Sequence, residues 1–259
     1  MFIEERQQLI LEQLAKHKKV VVVELAQLLK VSVDTIRRDL IILENNGLLK
    51  RTRGGAICPN KLRAKHTRNY NVRDIKEVNP YYDVIAKQAC LFINENDTIY
   101  LAGTSIDYLM IKYLPKDISY TVITNSVITA DELKGFENIE VFITCGKVRG
   151  RGSMNDPLVI DFIRNVRIDK AFISGPFISA NFGISTTTFE TAKLQKAVID
   201  IAKQVICPVP NVKFGIESFV KIADIKDINM VITDSESLEE EIIKIEELGV
   251  QVVIAQEEN

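Results

Sequence analysis

The sequence predicts an α/β chain in two unlike pieces: a small helical head that ends in a hairpin, and a larger Rossmann-like body built on a mostly parallel sheet. Three observations predict this. The first is composition: 259 residues, 46% hydrophobic and 26% charged, with 12 Gly, 7 Pro, 4 Cys and no Trp. Such a chain suits one large or two ordinary globular domains and excludes disordered, collagen-like and disulfide-scaffold classes. The second is charge. Residues 1–70 hold 14 Lys and Arg against 7 Asp and Glu, and the remainder holds 19 against 28. The formal net charge of −2 therefore averages a basic end and an acidic body. The third is periodicity, which is helical with a short hairpin up to residue 57 and alternates strand with helix beyond residue 80.

Composition also narrows the setting. No run of about 18 apolar residues exists, so no membrane-spanning helix is expected. The opening MFIEERQQLI places Glu4 and Glu5 where a signal peptide is basic and then apolar. Cys58, Cys90, Cys145 and Cys207 are widely spaced without a C-x-x-C pair and read as free thiols in a reducing cytoplasm. Between Glu44 and Asp74 there is no acidic residue, whereas Lys50, Arg51, Arg53, Lys61, Arg63, Lys65, Arg68 and Arg73 all fall there. A head that approaches a polyanion and a solvated basic linker fit this stretch equally well, and the fold of the basic end decides between them.

In residues 3–16, Ile3, Ile10, Leu11 and Leu14 share one helical face. A β-branched run, Val20–Val23, leads into VELAQLLKVSVDTIRRDL (23–40). There Leu25, Ala26 and Leu29 form a short apolar face, the pattern breaks at Lys30-Val31, and Ser32 can cap a new helix from Val33. The small Ala26 lets two helices cross closely while Val31 and Ile36 fill their corner, which predicts a helix-turn-helix. Lys30 occupies a turn position that commonly needs positive φ, at a modest cost for a lysine. On the second helix Ile36, Leu40 and Leu43 project inward, and Asp34, Thr35, Arg37 and Arg38 project outward near the end that enters a major groove. Arg suits two-point bonding to guanine, and Thr suits phosphate or a thymine methyl. LLKRTRGGAI (48–57) then reads as a hairpin with a glycine turn. Its cations Lys50, Arg51 and Arg53 make it a wing along the phosphate backbone or in the minor groove. The module at 1–57 is a winged helix-turn-helix, and its expected partner is duplex DNA.

The segment VSVDTIRRDLIILENNGLLKRTRGGAI (31–57) resembles the signature of DeoR-type bacterial transcription regulators. Val31-Ser32, Thr35-Ile36-Arg37-Arg38-Asp39-Leu40, Leu43-Glu44, Gly47-Leu48 and Arg51-Thr52-x-Gly54-Gly55 carry it. The resemblance implies that Ser32, Thr35, Arg37 and Arg38 contact DNA with support from Arg51 and Arg53. It also implies a C-terminal domain related to ribose-phosphate isomerases and coenzyme A transferases that senses a phosphorylated sugar or similar metabolite.

Residues 58–79 lack periodicity and read as a basic linker; 80–259 form the body, expected to sense an effector and to oligomerise. Strands are expected at 98–102, 120–124, 140–144, 170–174, 204–208, 230–233 and 250–255, and helices near 82–93, 105–114, 127–133, 157–166, 191–203 and 237–248. This alternation predicts a mostly parallel sheet with ligands beyond the carboxyl ends of its strands. Three loops there carry chemistry. Ala102-Gly103-Thr104-Ser105 offers a glycine and two hydroxyls where a helix opens, which suits a phosphate. Thr124-Asn125-Ser126 stands in the same place after the next strand, and Lys213-Phe214-Gly215 sets a cation beside a permissive glycine. Each is also an ordinary connection. The resemblance places the effector pocket at Gly103, Thr104, Ser105, Thr124, Asn125 and Lys213, with Gly146 and Glu190 as further candidates. The chain departs from the family pattern in this region. Leu101 stands for a usual Asp, Cys145-Gly146 for Gly-Gly, Pro210-Asn211-Val212 for Asp-Ser-Ser, and Gln195, with Lys193 and Lys196 close by, for a common lysine. A shifted effector preference and simple drift both account for these changes.

A sheet of this kind also admits an isomerase-like enzyme. Only Glu190 and Asp107 are carboxylates near the loops, His17 and His66 lie in the head and linker, and no metal-ligand spacing, nucleophile triad, G-x-G-x-x-G or P-loop occurs. The expectation is therefore a cytoplasmic DNA-binding regulator, a repressor rather than an enzyme, with no cofactor, no metal and no membrane partner. It would act as a homodimer or homotetramer whose affinity for a DNA operator responds to a phosphorylated sugar. A DNA-binding protein whose body only oligomerises is the alternative.

Overall fold

The computed structural model describes residues 3–17, 19–45, 49–52, 54–57 and 81–256. The chain divides into two compact units, Met1–Leu62 and Arg63–Asn259.

The first unit runs α1 (Ile3–His17), β1 (Lys19–Val21), α2 (Val22–Leu29), α3 (Val33–Asn45), β2 (Lys50–Thr52) and β3 (Gly55–Ile57). Its core gathers Ile10 and Leu14 from α1, Leu25, Ala26 and Leu29 from α2, and Ile36, Leu40 and Leu43 from α3. These are the apolar stripes that the helical spacing selects, and Val31 packs half-buried against them at the turn. Lys30 closes α2 at φ 53°, ψ 44°, the left-handed conformation that costs a non-glycine residue roughly 1 kcal/mol. The wing differs from a two-stranded hairpin. β1 joins it in an antiparallel sheet of order β1-β3-β2, with Ala56 opposite both Val20 and Arg51. Gly55 serves this approach, because a Cβ there would lie 1.8 Å from the Val20 carbonyl oxygen, whereas Gly54 faces open space. β1 is only three residues long, so its β-branched run carries no alternation that announces a strand.

The second unit runs α4 (Tyr81–Cys90), β4 (Thr98–Leu101), α5 (Ser105–Met110), β5 (Tyr120–Thr124), α6 (Val127–Leu133), β6 (Ile139–Ile143), α7 (Pro157–Arg164) and β7 (Ile168–Phe172). It continues with β8 (Phe177–Ser179), β9 (Gly183–Thr186), α8 (Phe189–Ile201), β10 (Ala202–Pro208), β11 (Val220–Ala223), β12 (Met230–Asp234), α9 (Glu239–Glu247) and β13 (Gln251–Ala255). Seven strands form one sheet of order β13-β12-β10-β7-β4-β5-β6, parallel throughout. These are the seven strands expected from the sequence, joined by the six expected helices. The sheet is buried on both faces. Tyr82, Ile85, Ile106, Met110 and Leu133 of α4, α5 and α6 cover one side. Val159 and Ile163 of α7, Leu194 and Val198 of α8, and Ile245 of α9 cover the other.

A second, antiparallel sheet of order β11-β9-β8 lies on the α8 side and was not expected. Its strands are three or four residues long, below the length at which period-two alternation separates a strand from an apolar turn.

From β4 the chain steps outward through β5 and β6, then returns to β7 and steps the other way through β10, β12 and β13. Strand order thus reverses between β4 and β7, and the crevice beyond their carboxyl ends is where such a sheet leaves room for a ligand.

Candidate functional site

Two sites emerge, one in each unit. In the first, α3 starts behind Ser32, whose Oγ accepts from the Thr35 N–H at 3.1 Å and lies 2.8 Å from the Thr35 hydroxyl. This local cap starts the helix where Asp34, Arg37 and Arg38 stand exposed. Arg37 donates to Asp34 Oδ1 at 3.1 Å, an exposed i,i+3 pair that contributes little to stability but holds the guanidinium along the helix. Glu44 near the end of α3 accepts from the Arg51 backbone N–H at 2.8 Å, with the Arg51 guanidinium 3.8 Å away. The wing is thereby tied to the helix it follows. Arg53 and the side chain of Lys50 lie outside the described residues, as do Cys58 and the linker.

The inner side of α3 holds a feature that sequence reading missed. Asp39 is buried and accepts from Arg6 Nε of α1 at 2.5 Å and from its second guanidinium nitrogen at 3.2 Å. The two residues are 33 apart, and Arg6 reads from the sequence as one more charge on a solvated face. The pair fixes the roll of α3, and so the direction in which Arg37 and Arg38 point. Breaking it strands a buried charge.

In the second unit a cavity of about 270 Å³ opens at the strand-order reversal. It is lined by Tyr100, Ala102, Gly103, Thr104, Ser105, Asn125, Arg151, Ser153, Asn155, Gly175, Thr191, Leu194, Gln195 and Lys213. Five expected residues, Gly103, Thr104, Ser105, Asn125 and Lys213, come together there, from the ends of β4 and β5 and the turn after β10. Three do not line it. Thr124 is fully buried with its hydroxyl accepting from the Ser126 N–H at 3.1 Å. Gly146 packs against the Asp156 carboxylate, and exposed Glu190 lies 4.0 Å from Arg149. Tyr100, Thr191, Leu194 and Gln195 were missed as lining residues because strand and helix interiors announce no ligand, and Arg151, Ser153, Asn155 and Gly175 because they lie in connections without a recognisable pattern. Gln195 alone carried a signal, the departure from a lysine.

The local chemistry follows from these contacts. Gly103 has φ +69°, and a Cβ there would meet the Ser126 Cβ at 2.2 Å, so the loop needs glycine twice over. Thr104 bonds Ser174 through its hydroxyl, and Ser174 in turn bonds Asp107. Asp107 also takes the Thr104 N–H at 3.2 Å, so this amide is not free for a ligand as the loop pattern suggests. Burial pushes the Asp107 carboxyl up to about 6. It sits beneath the cavity and caps its own helix. Lys213 donates to the Gly175 carbonyl at 2.8 Å and stands 5.5 Å from the centre of the Phe177 ring. Burial pushes its ammonium down to about 8, and no carboxylate lines the cavity with it. Asn211 donates to Asp234 from both its backbone (2.8 Å) and its side chain (2.7 Å), which anchors the turn that carries Lys213.

Several acceptors in the wall are unsatisfied. Asn125 gives its amide N–H groups to the Met154 carbonyl and to Asn155, leaving Oδ1 without a partner. Gln195 Oε1 and the Tyr100 hydroxyl are likewise buried and unpartnered. Leu101, in the place of the usual Asp, turns to the opposite face of the sheet, away from the cavity. Among the described residues no cluster of three His, Cys, Asp or Glu side chains could hold a metal ion, and no helix is long and apolar enough to cross a membrane.

Comparison with known proteins gives this arrangement its family. Residues 6–61 match the DeoR-like helix-turn-helix domain, and residues 83–235 match the DeoR C-terminal sensor domain. The chain belongs to the DeoR family. The transcriptional repressor GlcR of Bacillus subtilis is 34% identical, with 90% of this chain and 89% of that protein aligned. The L-fucose operon activator of Haemophilus influenzae is 30% identical over 88% of this chain and 91% of its own length. Ribose 5-phosphate isomerase A of Methanocaldococcus jannaschii overlaps 51% of this chain and 53% of its own at a TM-score of 0.38 and 16% identity. As a DeoR-family protein the chain is a transcription regulator and not an isomerase-like enzyme.

Proposed function

We propose that this DeoR-family protein is a cytoplasmic repressor whose affinity for its DNA operator is set by a phosphorylated sugar held in the cavity of the second unit. In this reading Arg37 and Arg38 read base edges in the major groove, and Asp34 and Thr35 stand beside them at the entering end of α3. Ser32, Lys50, Arg51 and Arg53 follow the phosphate backbone. Two heads act together on half-sites about one helical turn apart or a multiple of it, so the body assembles a homodimer or homotetramer. Effector binding favours one arrangement of the heads across residues 58–79 and so changes operator affinity.

The observation that carries the effector half is the cavity wall. A largely buried lysine without a carboxylate leaves room for an anion, and the buried, unpartnered oxygens of Asn125 and Gln195 behind the same wall would gain donors by turning toward a ligand's hydroxyls. A phosphorylated polyol brings both. Gly103, Thr104 and Ser105 would then face the ligand beside Lys213 and Asn125. Thr124, Gly146 and Glu190 would act at most by supporting these loops. The L-fucose operon activator supports a sugar-related role, and GlcR, named a repressor, supports the sign.

The test is a thermal-shift panel of phosphosugars with inorganic phosphate as control. A ligand at a hundred times its Kd stabilises by about 2.7 kcal/mol, a readable shift. A body that only oligomerises would show no shift across the panel.

A further inference from the structure

The α7–α8–α9 face of the body carries two features that the sensor does not use. One is an open apolar cleft of about 680 Å³ between α7, α8 and β11. Its floor is Ile160, Ala192, Ala197 and Ile222, and Arg164 and Lys193 stand exposed on its rim. Beside it Phe189 and Phe219 meet edge to face at 5.9 Å, although they are 61% and 78% exposed. An edge-to-face aromatic pair left in water beside an apolar cleft is unusual on a surface that stays bare. The other feature is α9. Its outward side presents Ile243, 48% exposed, and Glu239, Glu240, Glu246 and Glu247 lie three and four residues to either side of it. An isoleucine ringed by glutamates matches an apolar floor whose rim carries Arg164, Lys193 and Lys221, its one acid, Asp200, being already paired with Lys196. Among the described residues none of these four glutamates, nor Arg164 or Lys193, pairs with an opposite charge.

We propose that α9 of one copy lies in the α7–α8–β11 cleft of a second copy, and that the contact is reciprocal. Val159 and Ile163 of α7, Leu194 of α8 and Ile245 of α9 all pack into the core on the same face of the seven-stranded sheet. Cleft and helix therefore stand on one side of the body, as a two-fold axis requires if each copy is to give its α9 and receive its partner's. Phe189 and Phe219 lie at the margin of the cleft, where a large aromatic side chain anchors an interface once water is excluded. The charged rims set register and discourage other partners. The inference rests on the reading that two heads act together, and it supplies the surface that holds them as a pair.

Charge reversal tests it on the full chain, by light scattering and sedimentation at micromolar concentration. The wild type should be a dimer. Arg164→Glu with Lys193→Glu, and separately Glu240→Lys with Glu247→Lys, should each raise the dimer Kd at least about tenfold. The four substitutions together should return it to within about threefold of wild type, because the attraction is restored with its sign exchanged. Phe189→Ser with Phe219→Ser should raise the Kd about thirtyfold or more without rescue by any charge change. A wild-type dimer that ignores both reversals, or a quadruple variant no better than either pair, overturns this surface and leaves the two-headed reading standing. A wild type that stays monomeric overturns both.

Discussion

The head keeps the cations proposed to read DNA outside, where Arg37, Arg38 and Arg51 stand exposed, and buries one arginine only by pairing it bidentately with Asp39. The body does the reverse at its cavity. It takes Lys213 inside and gives it a carbonyl and an aromatic ring, but no carboxylate. Both units handle a buried cation, and the difference is the one the proposed sensor rests on. A paired charge is finished and locks a helix in place, whereas one with no carboxylate beside it in a cavity can take an anion from outside.

Five experiments break or sharpen this contrast. Asp39→Ala leaves Arg6 buried without its partner and should cost about 4 kcal/mol, read as loss of the head's cooperative melt while the body melts as before. If the head keeps its melting temperature, the pair is decoration. Arg37→Ala with Arg38→Ala removes two base-reading side chains and should weaken a cognate operator by about 3 kcal/mol, roughly a hundredfold. The fold should be intact by circular dichroism, and wild-type affinity would move the reading face elsewhere. Lys213→Met should remove the phosphosugar-induced thermal shift, about 2.7 kcal/mol at a hundred times the ligand's Kd, with little change to the unliganded melt. The same lysine sets a pH dependence: since burial holds its ammonium down to about 8, affinity for a phosphosugar already past its second ionisation at about pH 6 should be level and then fall as pH rises through about 8. A flat profile to higher pH would mean that another group holds the anion. Smallest is Arg51→Ala, half-exposed and shared with Glu44. It should weaken all duplexes alike by under about 1 kcal/mol and flatten the salt dependence by about one unit of slope.

The regular elements were legible because their signals are local. The outward arginines of α3 follow from Ile36, Leu40 and Leu43 pointing inward, and the seven parallel strands follow from β-branched runs spaced by amphipathic helices. What stayed hidden depends on distant partners. β1 becomes a strand only because Gly55 lets it approach, and β8, β9 and β11 exist by pairing with one another. The Arg6–Asp39 bond spans α1 and α3. At the cavity the glycine–hydroxyl loop and Lys213 could be read as loops with chemistry. Tyr100 and Gln195 could not, because their side chains matter through what they fail to bond. The departures from the family pattern also divide on inspection of the fold. Leu101 faces away and Asn211 anchors its turn through Asp234, so Gln195 is the one that alters the wall.

The central claim is that the cation inside the body governs what the cations on the head do. Operator affinity, measured by fluorescence anisotropy across a phosphosugar panel for wild type and Lys213→Met, tests it most directly. At least one phosphosugar should shift the wild-type Kd for operator by about fivefold or more and leave Lys213→Met unmoved. A panel that shifts neither protein, or shifts both alike, would contradict the account.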